Sequence, residues 1–158
     1  MAVIKDSFAA NSAMTITLAS LANSTAGVGR QSTLVDNTSN LYSSAQVAIK
    51  VTVGTTPTAN SLIYVYLIRS DNSGTPIADD GAGASDAGLT VINAPLLGTI
   101  LCSAATSNAA YYGVFDTKSL GSLGPKWGIA LVNATGVALH VTAGNHVVEF
   151  NGITQTVV

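Results

Sequence analysis

Ala45-Gln46-Val47-Ala48-Ile49-Lys50-Val51-Thr52-Val53 is the stretch that decides the fold class. Its odd positions read Ala, Val, Ile, Val, Val, and its even positions read Gln, Ala, Lys, Thr. Side chains of an extended strand alternate between two faces, so this run is a half-buried β-strand with one wet face. Met14, Ile16 and Leu18 alternate with Thr15, Thr17 and Ala19 in the same way, as do Trp127, Ile129 and Leu131 with small residues between them. Apolar spacing with a helical period is almost absent, which points to an all-β chain.

Leu62-Ile63-Tyr64-Val65-Tyr66-Leu67-Ile68 departs from the alternation, being apolar or aromatic on both faces. Such a strand is central in a sandwich, or has its outer face covered by a loop or a neighbouring subunit, and a chain without helices favours loop or subunit cover. Leu62, Tyr64, Tyr66 and Ile68 are therefore candidate interface residues, together with the aromatic pair Tyr111 and Tyr112. Further strands are expected at 29–36, 96–103, 111–116, 137–142 and 146–157. The total of about eight to nine fits an antiparallel, jelly-roll-like β-sandwich, with an immunoglobulin-like topology open as well.

The chain has 158 residues, of which 47% are hydrophobic and only 9% charged, and its net charge is −2. One domain over 1–158 is expected, since a chain of this length buries enough surface for a single core. The six basic residues are dispersed, and so form no basic patch for nucleic acid. The sequence contains no stretch of the roughly 20 apolar residues that span a membrane. The start, Met1-Ala2-Val3-Ile4-Lys5-Asp6-Ser7-Phe8, lacks the apolar core of a signal peptide, so synthesis and use without secretion are expected. On that basis the glycosylation-type triplets at Asn23, Asn37 and Asn133 are chance matches in a Ser/Thr/Asn-rich sequence.

A long irregular segment, 71–88, carries Asp71, Asp79, Asp80 and Asp86 with four glycines. It is expected to contact a partner or fold over the sheet, and to be dispensable for folding because its composition buries little. Its aspartates do not follow the EF-hand spacing and read as solvated carboxylates. Gly144-Asn145 reads as a two-residue hairpin turn that sets Leu139 against Phe150, Val141 against Val148 and His140 against Glu149. His140, His146 and Glu149 are then surface residues rather than a metal triad. The single cysteine, Cys102, lies in an apolar run and reads as a small buried hydrophobe. No Gly-x-Ser-x-Gly elbow occurs, the one glutamate leaves no glutamate pair, and Gly27-Val28-Gly29-Arg30 is an incomplete phosphate-loop pattern. No catalytic, metal or cofactor-binding residue is assigned, and a non-enzymatic protein is expected.

The Ser/Thr/Ala/Asn-rich strands resemble those of small capsid cement or decoration proteins of tailed bacteriophages. So do the start Met1–Phe8 and the segments Asn37-Thr38-Ser39-Asn40-Leu41-Tyr42 and Gly144-Asn145-His146-Val147-Val148-Glu149-Phe150. The resemblance implies a structural virion protein on the outside of an assembled shell. Its partner would be the major capsid protein, and it would act as a homotrimer clamping neighbouring capsid subunits. The rival expectation is a tail-fibre or other receptor domain that binds glycans, for which Tyr111-Tyr112 is the candidate aromatic platform.

Overall fold

A computed structural model describes residues 3–73, 77–81 and 83–157. Its strands, in chain order, are β1 (Ile4–Phe8), β2 (Ser12–Ala13), β3 (Val28–Gln31), β4 (Val35–Asp36), β5 (Ser44–Thr52) and β6 (Ser61–Ser70). They continue with β7 (Ala87–Thr90), β8 (Leu96–Cys102), β9 (Ala110–Asp116), β10 (Lys126–Ala134) and β11 (Val147–Val157). They build two antiparallel sheets packed as a sandwich. The first has the order β1-β11-β5-β9, with β2 on β11, and the second β7-β3-β10-β6-β8, with β4 on β10. Three short 3-10 turns are the only helical elements among the described residues, so the all-β expectation holds.

The stretch that opened the sequence reading becomes β5 and behaves as its pattern demands. Ala45, Val47, Ile49 and Val51 are buried between the sheets while Gln46 is exposed. Facing them from β6 and β10 are Ile63, Val65, Leu67, Trp127, Ile129 and Leu131. Trp127 meets Phe150 of β11 edge to face, with ring centres 5.1 Å apart, and Tyr42 approaches Phe150 from another side at 6.5 Å. Such contacts add specificity to the large apolar area that aromatic rings bury.

Met14, Ile16 and Leu18 keep their alternating burial, yet the strand there is confined to Ser12–Ala13. The reason is that this segment crosses between the sheets. The Met14 amide donates to Val148 O in the first sheet, while Thr15 O accepts from Thr33 N beside the second. Burial alternates because one edge of the segment closes the side of the core.

The expected hairpin about Gly144-Asn145 is not formed. Residues 137–142 contribute only an isolated bridge from Leu139 to Val53, and Ala143–Asn145 is a 3-10 turn. After it, β11 pairs along seven residues of β5 instead of folding back on 137–142. Val141 is 72% exposed, and Glu149 accepts a 2.7 Å hydrogen bond from Asn11 rather than facing His140. The alternating β5 offers a long regular ladder, which the short 137–142 segment cannot match.

Candidate docking surface

In β6 the odd residues Ile63, Val65 and Leu67 enter the main core, and the even residues face away from it. Ile68, at one end of this outer row, is fully buried. Its cover comes from the connection after β6 and the loop after β7. Ala78, Leu89 and Ala94 form a second apolar cluster with Ile68 and Ala130, onto which Tyr66, Leu34 and Val91 pack.

The aspartates of the connection hold that cover in place. Asp71 accepts from Ile77 N at 2.8 Å and from the Ser73 hydroxyl. Asp79 accepts from the backbone and side chain of Arg69. Asp80 accepts three backbone amides, Ile92 at 3.0 Å, Asn93 at 2.6 Å and Ala94 at 3.0 Å. Asp86 receives the Arg30 guanidinium and the Thr17 hydroxyl. Burial acts to raise the Asp86 pKa, but those two donors outweigh it and hold the carboxyl below its ordinary value of 3.8. Gln31 of β3 donates to Gly83 O and Ser85 O from the sheet side. Asp71 stays exposed, as solvated carboxylates were expected to, but Asp79, Asp80 and Asp86 are half-buried and bonded, and the segment folds over the sheet rather than burying little. The described part of 71–88 is stitched to the second sheet by hydrogen bonds that loop backbone needs in order to be buried.

Beyond Ile68 the outer row opens. Leu62, Tyr64 and Tyr66 are each half-buried, and β8 places Leu101, Thr99 and Leu96 opposite them in turn. Leu96 and Leu101 are themselves exposed. The Tyr64 and Tyr66 rings lie side by side, centres 6.4 Å apart and inclined by 34°. With Ser24, Thr25, Gly27, Val132 and Ala134 they line a groove of about 320 Å³, and none of these side chains is charged. Desolvation pushes the Tyr66 phenol above its ordinary value, as expected on a partly dry face.

Tyr111 and Tyr112 do not form a platform. Tyr111 is buried, its hydroxyl donating to Ala104 O at 2.6 Å, whereas Tyr112 is 68% exposed on the other side of β9. Adjacent strand residues point to opposite faces, so an i, i+1 pair cannot share one surface. The i, i+2 pair Tyr64 and Tyr66 can, and that spacing was the signal for it. Of the six interface candidates, Leu62, Tyr64, Tyr66 and Tyr112 reach the surface, and Ile68 and Tyr111 do not. Tyr112 lies with Ala48, Val114 and Val147 on the outer face of the first sheet, beside Lys50 and Glu149.

His146, Cys102, Asn133 and Asn37 are taken up by the fold itself. His146 receives Thr52 N on Nδ1 at 3.3 Å and contacts His140 O through Nε2 at 2.9 Å, which occupies both ring nitrogens with backbone. Burial is the main cause that lowers its pKa, keeping the ring neutral. Cys102 is buried, and burial raises its thiol pKa. Asn133 is buried and uses its whole amide, donating to Leu21 O and Val137 O and accepting from Thr135. Asn37 is likewise buried and bonded. Among the described residues no three His, Cys, Asp or Glu side chains converge as metal ligands, and no helix is long and apolar enough to cross a membrane.

No family model, no curated protein and no solved structure matches this chain.

Proposed function

We propose that this chain is a structural virion protein that decorates the outside of an assembled tailed-phage capsid and stabilises it. The observation that carries the reading is the uncharged, half-buried aromatic and aliphatic strip Leu62-Tyr64-Tyr66, flanked by the exposed Leu96 and Leu101. An uncharged apolar strip of this kind that reaches the surface suits contact with another protein. The two tyrosines supply large, rigid contact area with hydroxyls able to hydrogen-bond at its rim. A site shared between neighbouring capsid subunits favours the assembled shell by mass action, so binding would stabilise that state. The partner in this reading is the major capsid protein, the place of action the capsid surface, and no catalytic step is involved.

A second reading has its own support in the Tyr64–Tyr66 groove. Two rings beside Ser24 and Thr25 hydroxyls also suit a sugar, which would make the chain a glycan-binding receptor domain.

Cosedimentation of purified protein with bare shells of the source virus, run beside a glycan array, separates the two. The decoration reading expects binding to assembled shells and not to free capsid subunits. It also expects greater survival of decorated shells on heating, with both effects lost in Tyr64→Ser/Tyr66→Ser. Unchanged shell stability together with binding to a defined glycan class would replace it with the receptor reading.

A further inference from the structure

The two edges of the first sheet differ from those of the second. The second sheet ends in the four-residue β7 on one side. On the other it ends in β8, whose ladder with β6 slips between Val65 and Tyr66. Short edge strands and bulges blunt an edge against pairing with another chain. The first sheet ends on one side in the seven-residue β9 and on the other in the five-residue β1 followed by β2, both on β11; β1 and β9 pair without interruption along their whole length with β11 and β5. Neither contains proline.

β1 is unusual in a second respect. All five of its residues are exposed, and it pairs only with the final residues of β11, Ile153 to Val157. The last three of those are exposed as well. β1 and the end of β11 thus form a two-stranded ribbon that carries Ile4, Phe8 and Val157 at 60–70% exposure. A two-stranded ribbon with little packing is marginally stable in water.

We infer that the chain assembles head to tail, the β1–β11 ribbon of one copy laying its β1 antiparallel against β9 of the next. Three antiparallel steps separate β1 from β9, so the two edges run in opposite directions. A second copy continuing the sheet, displaced along the strands so that β1 rather than β2 stands beside β9, therefore meets β9 with a strand of the right polarity. Side-chain parity agrees. Through the ladders Phe8–Ile153, Val147–Lys50 and Lys50–Tyr112, the residues Ile4 and Phe8 lie on the same face as Tyr112 and Val114. Pairing the edges brings these exposed apolar side chains together, and Tyr112 and Val114 are 68% and 63% exposed in the single chain. Each copy offers one edge of each kind, so the contact is heterologous, and a closed ring leaves no edge free. The trimer expected of a decoration protein is one such ring. This inference deepens that reading by naming the self-contact, but the contact requires no shell.

The test therefore uses purified full-length protein without shells, so its failure is separate from a failure of shell binding. Light scattering coupled to gel filtration should return a multiple of the 15.9 kDa chain mass. Ile4→Lys/Phe8→Lys on β1 and Tyr112→Lys/Val114→Lys on β9 should each reduce that to one chain with an unchanged circular dichroism spectrum. Mixing the two variants should restore a species of twice the chain mass, because each retains the edge the other lacks. Single substitutions Phe8→Lys and Tyr112→Lys repeat the experiment if a double variant fails to fold. A wild-type single-chain mass, an oligomer untouched by these changes, or a mixture that stays at one chain mass would each overturn the inference.

Discussion

Arg30 of β3 and Asp86 are 56 residues apart in sequence, and their side chains form an ion pair that anchors the connection before β7 to the second sheet. The Thr17 hydroxyl reaches the same carboxylate, so one aspartate joins three separate segments. Asp80 does comparable work beyond β7 by accepting three consecutive amides.

Replacing 71–88 by a short Gly-Ser linker is consequently expected to lower the melting temperature, contrary to the dispensability that composition suggests. Asp80→Ala alone should cost about 1–3 kcal/mol by leaving backbone donors without their acceptor. Asp86→Ala should cost less, about 1 kcal/mol, since Arg30 remains 31% exposed. Urea denaturation of the three variants checks the order, and a shortened chain as stable as wild type would refute the account.

Gly29 of β3 lies against β10 so closely that a Cβ would stand 2.2 Å from Leu131 O and 2.8 Å from Val132 Cγ2. Gly29→Ala should therefore destabilise by about 2 kcal/mol or more, because the obstacle is backbone that cannot swing aside. Gly144, with open space around its Cβ position, should accept alanine with little change in the same denaturation measurement.

Trp127 is the only tryptophan and is fully buried against Phe150. Its emission should be blue-shifted in the native protein and move red on unfolding. Trp127→Ala should cost about 3–5 kcal/mol through lost burial and the cavity left behind. The indole Nε1 has no hydrogen-bond partner, so Trp127→Phe removes an unsatisfied donor and should cost clearly less than the alanine change.

Acid should weaken the fold in two stages. His146 has a folded pKa below its ordinary 6.5, so the unfolded chain binds its proton first. Stability present above that value is then lost as pH falls through 6.5 towards the folded value. Asp6, Asp36, Asp71 and Asp86 are also held below 3.8, by hydrogen bonds that outweigh desolvation, and their contribution disappears only at lower pH. Denaturant midpoints measured from pH 7 downward should show the first loss in wild type and not in His146→Gln.

The sequence by itself determined the β class, the inward residues of β5, β6 and β10, and the need to cover the outer face around Ile68. Those properties follow from strand geometry, which assigns faces by counting residues along one chain. Partners are a different matter. The turn signal at Gly144-Asn145 suggested that Leu139 and Phe150 pair, but β11 lies on β5, because ladder length outweighs a local turn preference. The fate of 71–88 was equally hidden: Asp and Gly are common in mobile loops, and only the placement of Arg30, Arg69 and the Ile92–Ala94 amides turns the aspartates into anchors. Tertiary structure alone decided that the covering buries Ile68 completely but leaves Leu62, Tyr64 and Tyr66 only half-buried. How far a loop reaches across a sheet depends on where its hydrogen-bond acceptors find donors, and that is a property of the folded surface.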